Sequence, residues 1–268
     1  MHYFRGRRVL LYLPCYNQEM MVERVLDRIP PAARRDSAEI LVVDNCSTDA
    51  TAVRALEYRD REGLGNLEVV RNEHNLGYGG SQQLAYRRAI DRNYDAVVMI
   101  HGDGQYAPEI LLDIVGPILE GRADFVFGSR TLGDPLAGNM PWVRYVGNRS
   151  LTFLQNLLLG LRISEYHSGY RAFSIPSLRQ VNFEGISADY HFDTEIIILY
   201  SLKGLRIVEV PIPTHYGEER SFLNIWHYGA NVLYATARFW AHRTGLKPSN
   251  RWREILATQQ TSASVPRA

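Results

Sequence analysis

Four polar loops follow short apolar runs in the first half of the sequence, and the fourth loop carries side chains suited to metal binding. It reads His101-Gly102-Asp103-Gly104-Gln105 and comes directly after the apolar run Val97–Ile100. Since successive side chains of a strand alternate in direction, residues 101, 103 and 105 are expected on one side. An imidazole, a carboxylate and an amide oxygen could together hold Mg²⁺ or Mn²⁺ against a diphosphate. The alternative is a tight turn in which Asp103 only caps the helix that starts near Pro108.

The first loop follows the run Val9–Leu13 and reads Pro14-Cys15-Tyr16-Asn17-Gln18-Glu19. It offers an aromatic ring, an amide and a carboxylate to a ligand at the end of a strand. Two of these residues also have simple structural roles open to them. Asn17 can cap the next helix, and Glu19 can be a favourable charge in its first turn.

The second loop follows the run Glu39–Val43 and reads Asp44-Asn45-Cys46-Ser47-Thr48-Asp49. Ser47 or Asp49 can cap the helix that follows, which leaves Asp44 unexplained at the end of the strand. A carboxylate in that position can accept the imide hydrogen of uracil or the N1 and N2 hydrogens of guanine. Asp44 is therefore predicted to select the base of a nucleotide.

The third loop is rich in glycine and reads Asn75-Leu76-Gly77-Tyr78-Gly79-Gly80-Ser81. Glycine lets a backbone approach a ligand closely, and the N-terminus of the helix that follows favours anions. The loop lacks the lysine of a P-loop and the spacing of a dinucleotide-binding fingerprint. Taken alone, it is weak evidence for a phosphate site.

The alternation of short apolar runs with helical patterns predicts a mostly parallel sheet that is covered by helices. The predicted strands are Val9–Leu13, Glu39–Val43, Leu67–Val70, Ala96–Ile100 and Phe125–Phe127, and the predicted helices lie near 18–29, 49–62, 80–92 and 107–120. Ligands of such sheets bind beyond the carboxyl ends of the strands. The polar loops lie at those ends.

The second half of the chain predicts fewer regular elements. Residues 130–148 hold glycine and proline without apolar periodicity, which predicts a long mobile loop. The predicted elements after it are an amphipathic helix at Leu151–Leu161, a helix at Phe192–Leu202, a strand at Arg206–Val210 and an aromatic helix within Ser221–Trp240. The first and last of these helices suit a membrane surface, and packing on the domain or across a homodimer is the alternative.

Length and composition restrict the class of protein. A chain of 268 residues, 46% of them hydrophobic, predicts one domain at 1–220 with a helical extension at 221–256 and a disordered tail at 257–268. A net charge of +1 argues against a nucleic-acid partner. Two cysteines fit a reduced compartment, and no apolar run approaches the roughly 20 residues of a transmembrane helix. We therefore expect a cytoplasmic protein, either soluble or peripheral on the inner face of the cell membrane.

In order along the chain, the four loops resemble those of the family 2 glycosyltransferases, and especially the dolichyl-phosphate mannose synthase and polyprenyl-phosphate glycosyltransferase group. Further segments continue the likeness, namely Phe127-Gly128-Ser129-Arg130, Ser168-Gly169-Tyr170-Arg171, Phe192-Asp193-Thr194-Glu195 and 203–211. The likeness covers about residues 8–220. Ordered motifs at the right intervals are far more specific than any one of them.

The resemblance implies an α/β protein of the GT-A fold, which moves the sugar of a UDP- or GDP-sugar with inversion at the anomeric carbon. The donor-binding residues that it implies are Pro14, Tyr16, Asn17, Glu19, Asp44, Asn45, Ser47, Gly77 and Gly102. The implied ligands of the metal and diphosphate are Asp103 and Gln105, with His101 beside them. The implied catalytic residues are Asp103, Glu165, Asp193 and Glu195, and the implied acceptor-binding residues are Arg130, Arg144, Asn148 and Arg171.

Three positions depart from the pattern of the family. His101 stands where the metal motif usually begins with Asp, which implies a softer ion such as Mn²⁺, weak metal dependence, or a supporting role for the histidine. Asn45 replaces the second Asp of its loop, and Asn148 replaces a residue that is often Ser.

Two classes of acceptor are open. A polyprenyl phosphate already carries a nucleophilic oxyanion, so positioning and charge would provide the rate. A soluble hydroxyl acceptor needs a carboxylate to take its proton, and Glu165, Asp193 and Glu195 are the candidates. An alternative hypothesis is a protein that binds a nucleotide sugar without catalysis, and His101 in the metal motif motivates it. A nucleotidyltransferase would need basic residues in the first loop, and 14–19 has none.

Overall fold

The computed structural model describes residues 3–135, 140–213 and 225–262 of the chain. Its strands are β1 Val9–Cys15, β2 Glu39–Asp44, β3 Leu67–Arg71, β4 Ala96–Met99, β5 Phe125–Ser129, β6 Arg171–Ser174 and β7 Ile207–Pro211. They form a seven-stranded sheet in the order β3-β2-β1-β4-β6-β5-β7. Neighbouring strands run parallel except at β6, which is antiparallel to both β4 and β5.

Helices cover both faces of this sheet. They are α1 Val22–Arg28, α2 Pro31–Asp36, α3 Thr51–Glu62, α4 Gly77–Asp91, α5 Leu111–Leu119, α6 Trp142–Leu159, α7 Ile175–Leu178, α8 Phe192–Leu202, α9 Ile225–Arg243 and α10 Asn250–Ser262. Strands β1, β2 and β4 are buried along nearly their whole length, as expected of a parallel sheet with helices on both sides. Helix α6 ends where Gly160 adopts a left-handed conformation with φ 71°.

The core divides between the two faces of the sheet. Helices α1, α3 and α5 bury one set of aliphatic side chains, and α4, α8, α9 and α10 cover the other face. On that second face the rings of Phe125 and Phe173 stack with centroids 4.3 Å apart. Tyr86 and Tyr200 pack against the same pair. This aromatic cluster holds β6 between β4 and β5.

Most elements of the first half agree with the sequence. The five predicted strands and four predicted helices are confirmed, with ends that differ by a few residues, as are the helix at Phe192–Leu202 and the following strand. The sequence missed α2, α7 and β6. Strand β6 has only four residues and begins with a buried arginine, so no apolar alternation marks it.

The predicted mobile loop at 130–148 is wrong from Trp142 onward, because helix α6 begins there. The amphipathic helix predicted at Leu151–Leu161 is the second half of α6. Gly147 and polar neighbours interrupt the apolar pattern in its first half, which concealed the helix start. Residues 136–139 of the predicted loop lie outside the described residues.

The C-terminal helices join the core of the domain. Trp252 of α10 is buried against Phe239 of α9, with ring centroids 4.8 Å apart. Helix α10 also covers residues 257–262 of the predicted disordered tail, and residues 214–224 and 263–268 lie outside the described residues. Phe222 and the side chains of residues 225–228, part of the predicted aromatic helix, are likewise outside them. In the described ranges, no helix is long and apolar enough to cross a membrane.

We expect Phe173→Ala to destabilise the protein by about 3–5 kcal/mol, because it opens a cavity at the centre of the aromatic cluster. Urea unfolding followed by circular dichroism measures the change. Leu246→Ala, at an exposed position after α9, is the control and should change the free energy of unfolding by less than about 0.5 kcal/mol. Equal stability of the two variants would contradict the proposed support of β6.

Candidate active site

A cavity of about 420 Å³ lies where β1, β2 and β4 end, at the carboxyl edge of the sheet. The predicted site residues in its walls are Pro14, Tyr16, Asn45, Gly77, His101, Gly102, Asp103, Gln105, Arg130, Arg144, Asn148 and Asp193. Pro14 lies near the end of β1, Gly77 begins α4, and the loops after β1, β2, β4 and β5 supply the others up to Arg130. Arg144 and Asn148 come from α6, and Asp193 comes from the first turn of α8.

Gly102 lets the first and fourth loops meet at this cavity. Its N–H donates to the Pro14 carbonyl oxygen over 3.3 Å. A Cβ atom at position 102 would lie 2.5 Å from the Cys15 sulfur, so no larger residue fits. The fold therefore requires glycine at a position that the family resemblance assigns to donor binding.

Asp103 sits in a tight turn beside the cavity. Its Oδ1 accepts a hydrogen bond from the Gln105 N–H over 3.0 Å, and Gly104 follows it with φ 74°. This bond fixes the carboxylate so that it stays within the cavity wall. The tight turn of the alternative prediction is thus present, but Asp103 does not cap the helical turn that begins at Pro108, and Asp103 lines the cavity.

His101 lies between two tyrosine rings. Its ring centroid is 4.9 Å from that of Tyr106 and 5.9 Å from that of Tyr78. Burial lowers the pKa of His101, although the charges of Asp103 and Asp193 raise it. The imidazole is therefore neutral at physiological pH, and a neutral imidazole is the form that can bind a metal ion.

The residues of the fourth loop fit a divalent ion only if a ligand completes its coordination. Within the described ranges, no cluster of three or more His, Cys, Asp or Glu side chains could hold a metal ion. His101, Asp103 and the amide of Gln105 nevertheless line one cavity. Since Mg²⁺ and Mn²⁺ take about six ligands, diphosphate oxygens and water would supply the rest. A bound ion would neutralise negative charge on a departing diphosphate.

Three residues predicted to bind the donor join the first and second loops and are absent from the described cavity walls. The Oδ1 of Asn17 accepts from the Thr48 N–H, and the Oε2 of Glu19 accepts from the Ala50 N–H. The Ser47 hydroxyl accepts from the Asn17 N–H. A direct contact of these residues with a nucleotide stays a prediction, because the hydrogen bonds already give each side chain a structural role.

Asp44 is fully buried beneath the same two loops. Its Oδ1 accepts from the Ser47 N–H over 2.9 Å, and its Oδ2 lies 3.6 Å from the Arg71 Nε. Among the described residues, none donates a hydrogen bond to Oδ2. A buried carboxylate oxygen without a donor can accept a hydrogen bond, but the described walls of the cavity do not contain Asp44, so its base-selecting role stays a prediction.

Glu165 is buried behind the cavity and holds Arg130. Its Oε2 accepts from the Arg130 backbone N–H over 2.8 Å, and its Oε1 accepts from the guanidinium Nε over 2.7 Å and from Nη2. The described cavity walls include Arg130 and not Glu165. The structure therefore gives Glu165 a contact that positions Arg130, and its predicted catalytic role stays a prediction.

Glu195 is also paired with an arginine, away from the cavity. Both its oxygens accept from the Arg251 guanidinium, over 2.7 and 2.8 Å, and Oε2 also accepts from the Ser187 N–H. These bonds attach α10 to α8 and to the loop before it. The described walls of the cavity do not contain Glu195, and its predicted catalytic role stays a prediction.

Arg171 is fully buried and donates to backbone carbonyl oxygens of Tyr166, Ser168 and Asp193. It lies 3.3 Å from the Asp193 carboxylate. The N–H groups of Arg171 are thus directed at acceptors inside the protein, and its predicted contact with the acceptor substrate stays a prediction.

Asp193 reaches the cavity from the start of α8. Its carboxylate accepts from the Tyr78 hydroxyl over 3.1 Å and from the Gln82 amide over 3.3 Å. Burial raises the pKa of Asp193, and Arg171 opposes this shift. Of the three carboxylates considered as bases, it is the one in the cavity wall.

Sequence reasoning missed several residues of the cavity, namely Tyr78, Tyr106, His167, Asp189 and Tyr190. Tyr78 and Tyr190 stack with centroids 5.3 Å apart, and the Tyr106 hydroxyl accepts from the Gly169 N–H. Burial, with Arg130 and Arg171, lowers the pKa of His167 to about 3. Tyr78 and Tyr106 stand within or next to recognised loops, which was a usable signal. Asp189 and Tyr190 belong to no motif.

The mostly parallel sheet with this cavity at its carboxyl edge defines an α/β protein of the GT-A fold, the fold of glycosyltransferases. The sequence model of the family described as Glycosyl transferase family 2 matches residues 11–181, and the chain belongs to this family. It is therefore a glycosyltransferase, as the resemblance of its loops predicts.

Three relatives with named activities match most of the chain. The UDP-N-acetylglucosamine–dolichyl-phosphate N-acetylglucosaminyltransferase of Methanococcus voltae is 30% identical over 220 residues, covering 78% of this chain and 86% of that protein. The undecaprenyl-phosphate mannosyltransferase of Micrococcus luteus is 31% identical, covering 76% and 82%. The polyprenol monophosphomannose synthase of Mycolicibacterium smegmatis is 28% identical, covering 77% of each.

Solved structures agree on the fold. Glucosyl-3-phosphoglycerate synthase from Mycobacterium tuberculosis with phosphoglyceric acid has a TM-score of 0.66 at 24% identity, covering 90% of this chain and 81% of that one. The same synthase with Mn²⁺, uridine diphosphate and phosphoglyceric acid has a TM-score of 0.64 at 22% identity, covering 88% and 78%. At these identities the likeness concerns the fold alone.

We expect Asp103→Ala to lower sugar transfer at least about 1000-fold, because Asp103 is the one carboxylate among the three predicted metal ligands. The rate is measured with Mg²⁺ and with Mn²⁺. Asp113→Ala, at an exposed position on α5, is the control and should keep the normal rate. Unchanged turnover of the Asp103 variant would remove the metal assignment.

We expect Glu165→Gln to lower kcat/KM by about 100-fold, because Arg130 would lose the carboxylate that positions it at the cavity. Glu195→Gln is a matched control, since both glutamates are 1% exposed and paired with arginine. The control should lower the melting temperature and leave kcat/KM within about threefold, because its ion pair lies outside the cavity. Equal losses of activity in the two folded variants would show that Glu165 has only a structural role.

Proposed function

We propose that this glycosyltransferase moves a sugar, with inversion, from a UDP- or GDP-sugar to a polyprenyl phosphate. The names of the relatives support this proposal, since all three act on dolichyl, undecaprenyl or polyprenol carriers by name. The donor remains open between UDP and GDP, because one relative is named for a UDP-sugar and the others are named for mannose transfer alone.

One observation in the cavity carries the choice of acceptor. The carboxylates of Glu165 and Glu195 are absent from the described cavity wall and accept hydrogen bonds from arginines, so neither faces an acceptor bound in the cavity. Arg130 and Arg144 both line the cavity. Guanidinium groups bind phosphate oxygens in forked geometry, and a phosphate acceptor needs no strong base. This arrangement favours a phosphate as the nucleophile.

The donor half of the proposal assigns roles to the first, second and fourth loops. Asp44 Oδ2 would accept a hydrogen from uracil or guanine, while Pro14 and Tyr16 would lie along the nucleoside. Asp103 and Gln105, with His101, would hold Mg²⁺ or Mn²⁺ at the diphosphate. The synthase of similar fold has been crystallised with Mn²⁺ and uridine diphosphate, which supports a divalent ion in general.

A soluble hydroxyl acceptor is the second candidate, and Asp193 is the observation that favours it. This carboxylate lies in the cavity wall, and burial raises its pKa, which makes it a stronger base. Its hydrogen bonds to Tyr78 and Gln82 and its pairing with Arg171 oppose that role, because they stabilise the charged form in place. We therefore rank this acceptor second, and we propose a cytoplasmic protein at the inner face of the cell membrane.

The acceptor is tested by incubating the protein and Mn²⁺ with UDP- and GDP-sugars and undecaprenyl phosphate. We expect a lipid-linked sugar, and we expect Arg144→Gln to raise the acceptor KM by about tenfold while the donor KM stays within about twofold. Arg54→Gln, on the exposed face of α3, is the control with unchanged constants. Transfer to a soluble hydroxyl acceptor, with none to the lipid, would overturn the proposal in favour of the second candidate.

A further inference from the structure

The glycine-rich third loop and the start of α4 hold another segment of the chain. The N–H groups of Gly79 and Gly80 both donate to the carbonyl oxygen of Ala188, over 2.7 and 3.1 Å. A Cβ atom at Gly77 would lie 2.5 Å from the same oxygen, so no larger residue fits there. The glycines therefore let the segment 187–191 dock on the start of α4, and these helix N–H groups are already used inside the protein.

The docked segment brings Asp189 and Tyr190 into the cavity wall. The ring of Tyr190, which is 40% exposed, stacks on the ring of Tyr78 with centroids 5.3 Å apart and 21° between the planes. The Tyr78 hydroxyl donates to the Asp193 carboxylate over 3.1 Å, which fixes the ring from behind. Two tyrosines held in this way give the cavity an aromatic side, and the apolar CH groups of a sugar ring can pack on such a surface.

The hydroxyl of Ser81 adds a polar group to the same side of the cavity. Ser81 lies one turn after Tyr78 on α4, lines the cavity and is 1% exposed. Its Oγ lies close to the buried Tyr12 hydroxyl, and neither oxygen makes a hydrogen bond of ordinary length within the described part of the chain. A hydroxyl can donate one hydrogen bond and accept two, and leaving it unpaired when buried costs free energy. A hydroxyl group of a bound ligand would supply the partner.

The charged side chains on this side of the cavity are carboxylates. The two segments that build it, 75–82 and 187–193, contribute Asp189 and Asp193 to the described walls. Asp193 is paired with a buried arginine, whereas Asp189 is exposed and its Oδ1 accepts from the backbone N–H of the next residue over 2.7 Å. The two arginines of the cavity come from α6 and from the end of β5. A fixed carboxylate accepts hydrogen bonds from a neutral ligand and repels a ligand that is itself a carboxylate.

Four side chains make up this tyrosine wall of the cavity, namely Tyr78, Ser81, Asp189 and Tyr190. We propose that the tyrosine wall binds the sugar of the donor, and that it selects a neutral hexose over a uronic acid, in which C6 is a carboxylate. This inference rests on the proposed function, since it names the class of sugar that the donor carries. The rings would pack against CH groups of the hexose, while Ser81 and Asp189 would hydrogen-bond to its hydroxyl groups. Asp189 would repel the carboxylate of a uronic acid.

Calorimetric binding with Mn²⁺ tests the proposal on two pairs of ligands, UDP-glucose with UDP-glucuronate and GDP-mannose with GDP-mannuronate. The neutral member of a pair should bind at least about tenfold more tightly than the uronate, and Asp189→Asn should reduce this ratio to about threefold or less. Tyr190→Ala should weaken binding of the neutral nucleotide sugar about tenfold and leave binding of UDP or GDP within about twofold. Tyr234→Ala, at an exposed tyrosine of α9 outside this cavity, is the matched control and should leave both affinities within about twofold.

Three outcomes would overturn the proposal. They are uronate binding as tight as that of the neutral sugar, equal loss of affinity for nucleotide sugar and nucleoside diphosphate in Tyr190→Ala, and binding of UDP or GDP without binding of either neutral nucleotide sugar. Transfer to undecaprenyl phosphate tests the proposed function separately. Transfer that does not distinguish a neutral sugar from a uronic acid removes the sugar selection alone, and preferred binding of the neutral sugar without transfer to the lipid removes the proposed acceptor alone.

Discussion

Buried pairs of arginine and carboxylate fix the acceptor side of the cavity. Arg130 with Glu165, Arg171 with Asp193 and Arg251 with Glu195 join residues that are 35, 22 and 56 positions apart in the chain. Taking such charges out of water costs several kcal/mol for each ion, and pairing offsets this cost only when the geometry is good. An ion pair between arginine and carboxylate therefore holds each of three parts of the protein, namely the loop before β6, the start of α8 and the attachment of α10.

These pairs also determine which side chains can act on an acceptor in the cavity. The oxygens of Glu165 accept hydrogen bonds from Arg130, and the described cavity wall does not contain this carboxylate, so it does not face a proton of a bound acceptor. The pairing of Glu165 thus converts a candidate base into a support for the cation beside it. The acceptor side places Arg130 and Arg144 in the cavity wall. Arginines held at fixed positions suit an acceptor that is already an anion, which connects the packing of the protein to its proposed substrate.

The donor side could be predicted from the sequence because its loops directly follow apolar strands. Asp103 and Gly102 were found in this way, and both line the cavity. The acceptor side could not be predicted to the same extent. Glu165 and Glu195 stand in similar motifs, and nothing local indicates which arginine each will meet. The apolar residues of α6 have the pattern of a core helix, and only the packing of its other face by Gln155 shows that they are exposed.

The surroundings of position 101 give a physical reason for a histidine in place of the usual Asp. The charges of Asp103 and Asp193 both raise its pKa, so both carboxylates act on the ring, while burial lowers the pKa more strongly. A third carboxylate at this point would add repulsion in a partly buried site, and only a bound cation would relieve it. A neutral imidazole avoids that repulsion and can still bind an ion when a diphosphate brings one. Gly169 leaves room for the ring, since a Cβ there would overlap the imidazole. The departure at position 101 is thus compatible with a metal-dependent transferase whose cavity keeps its shape before the donor binds.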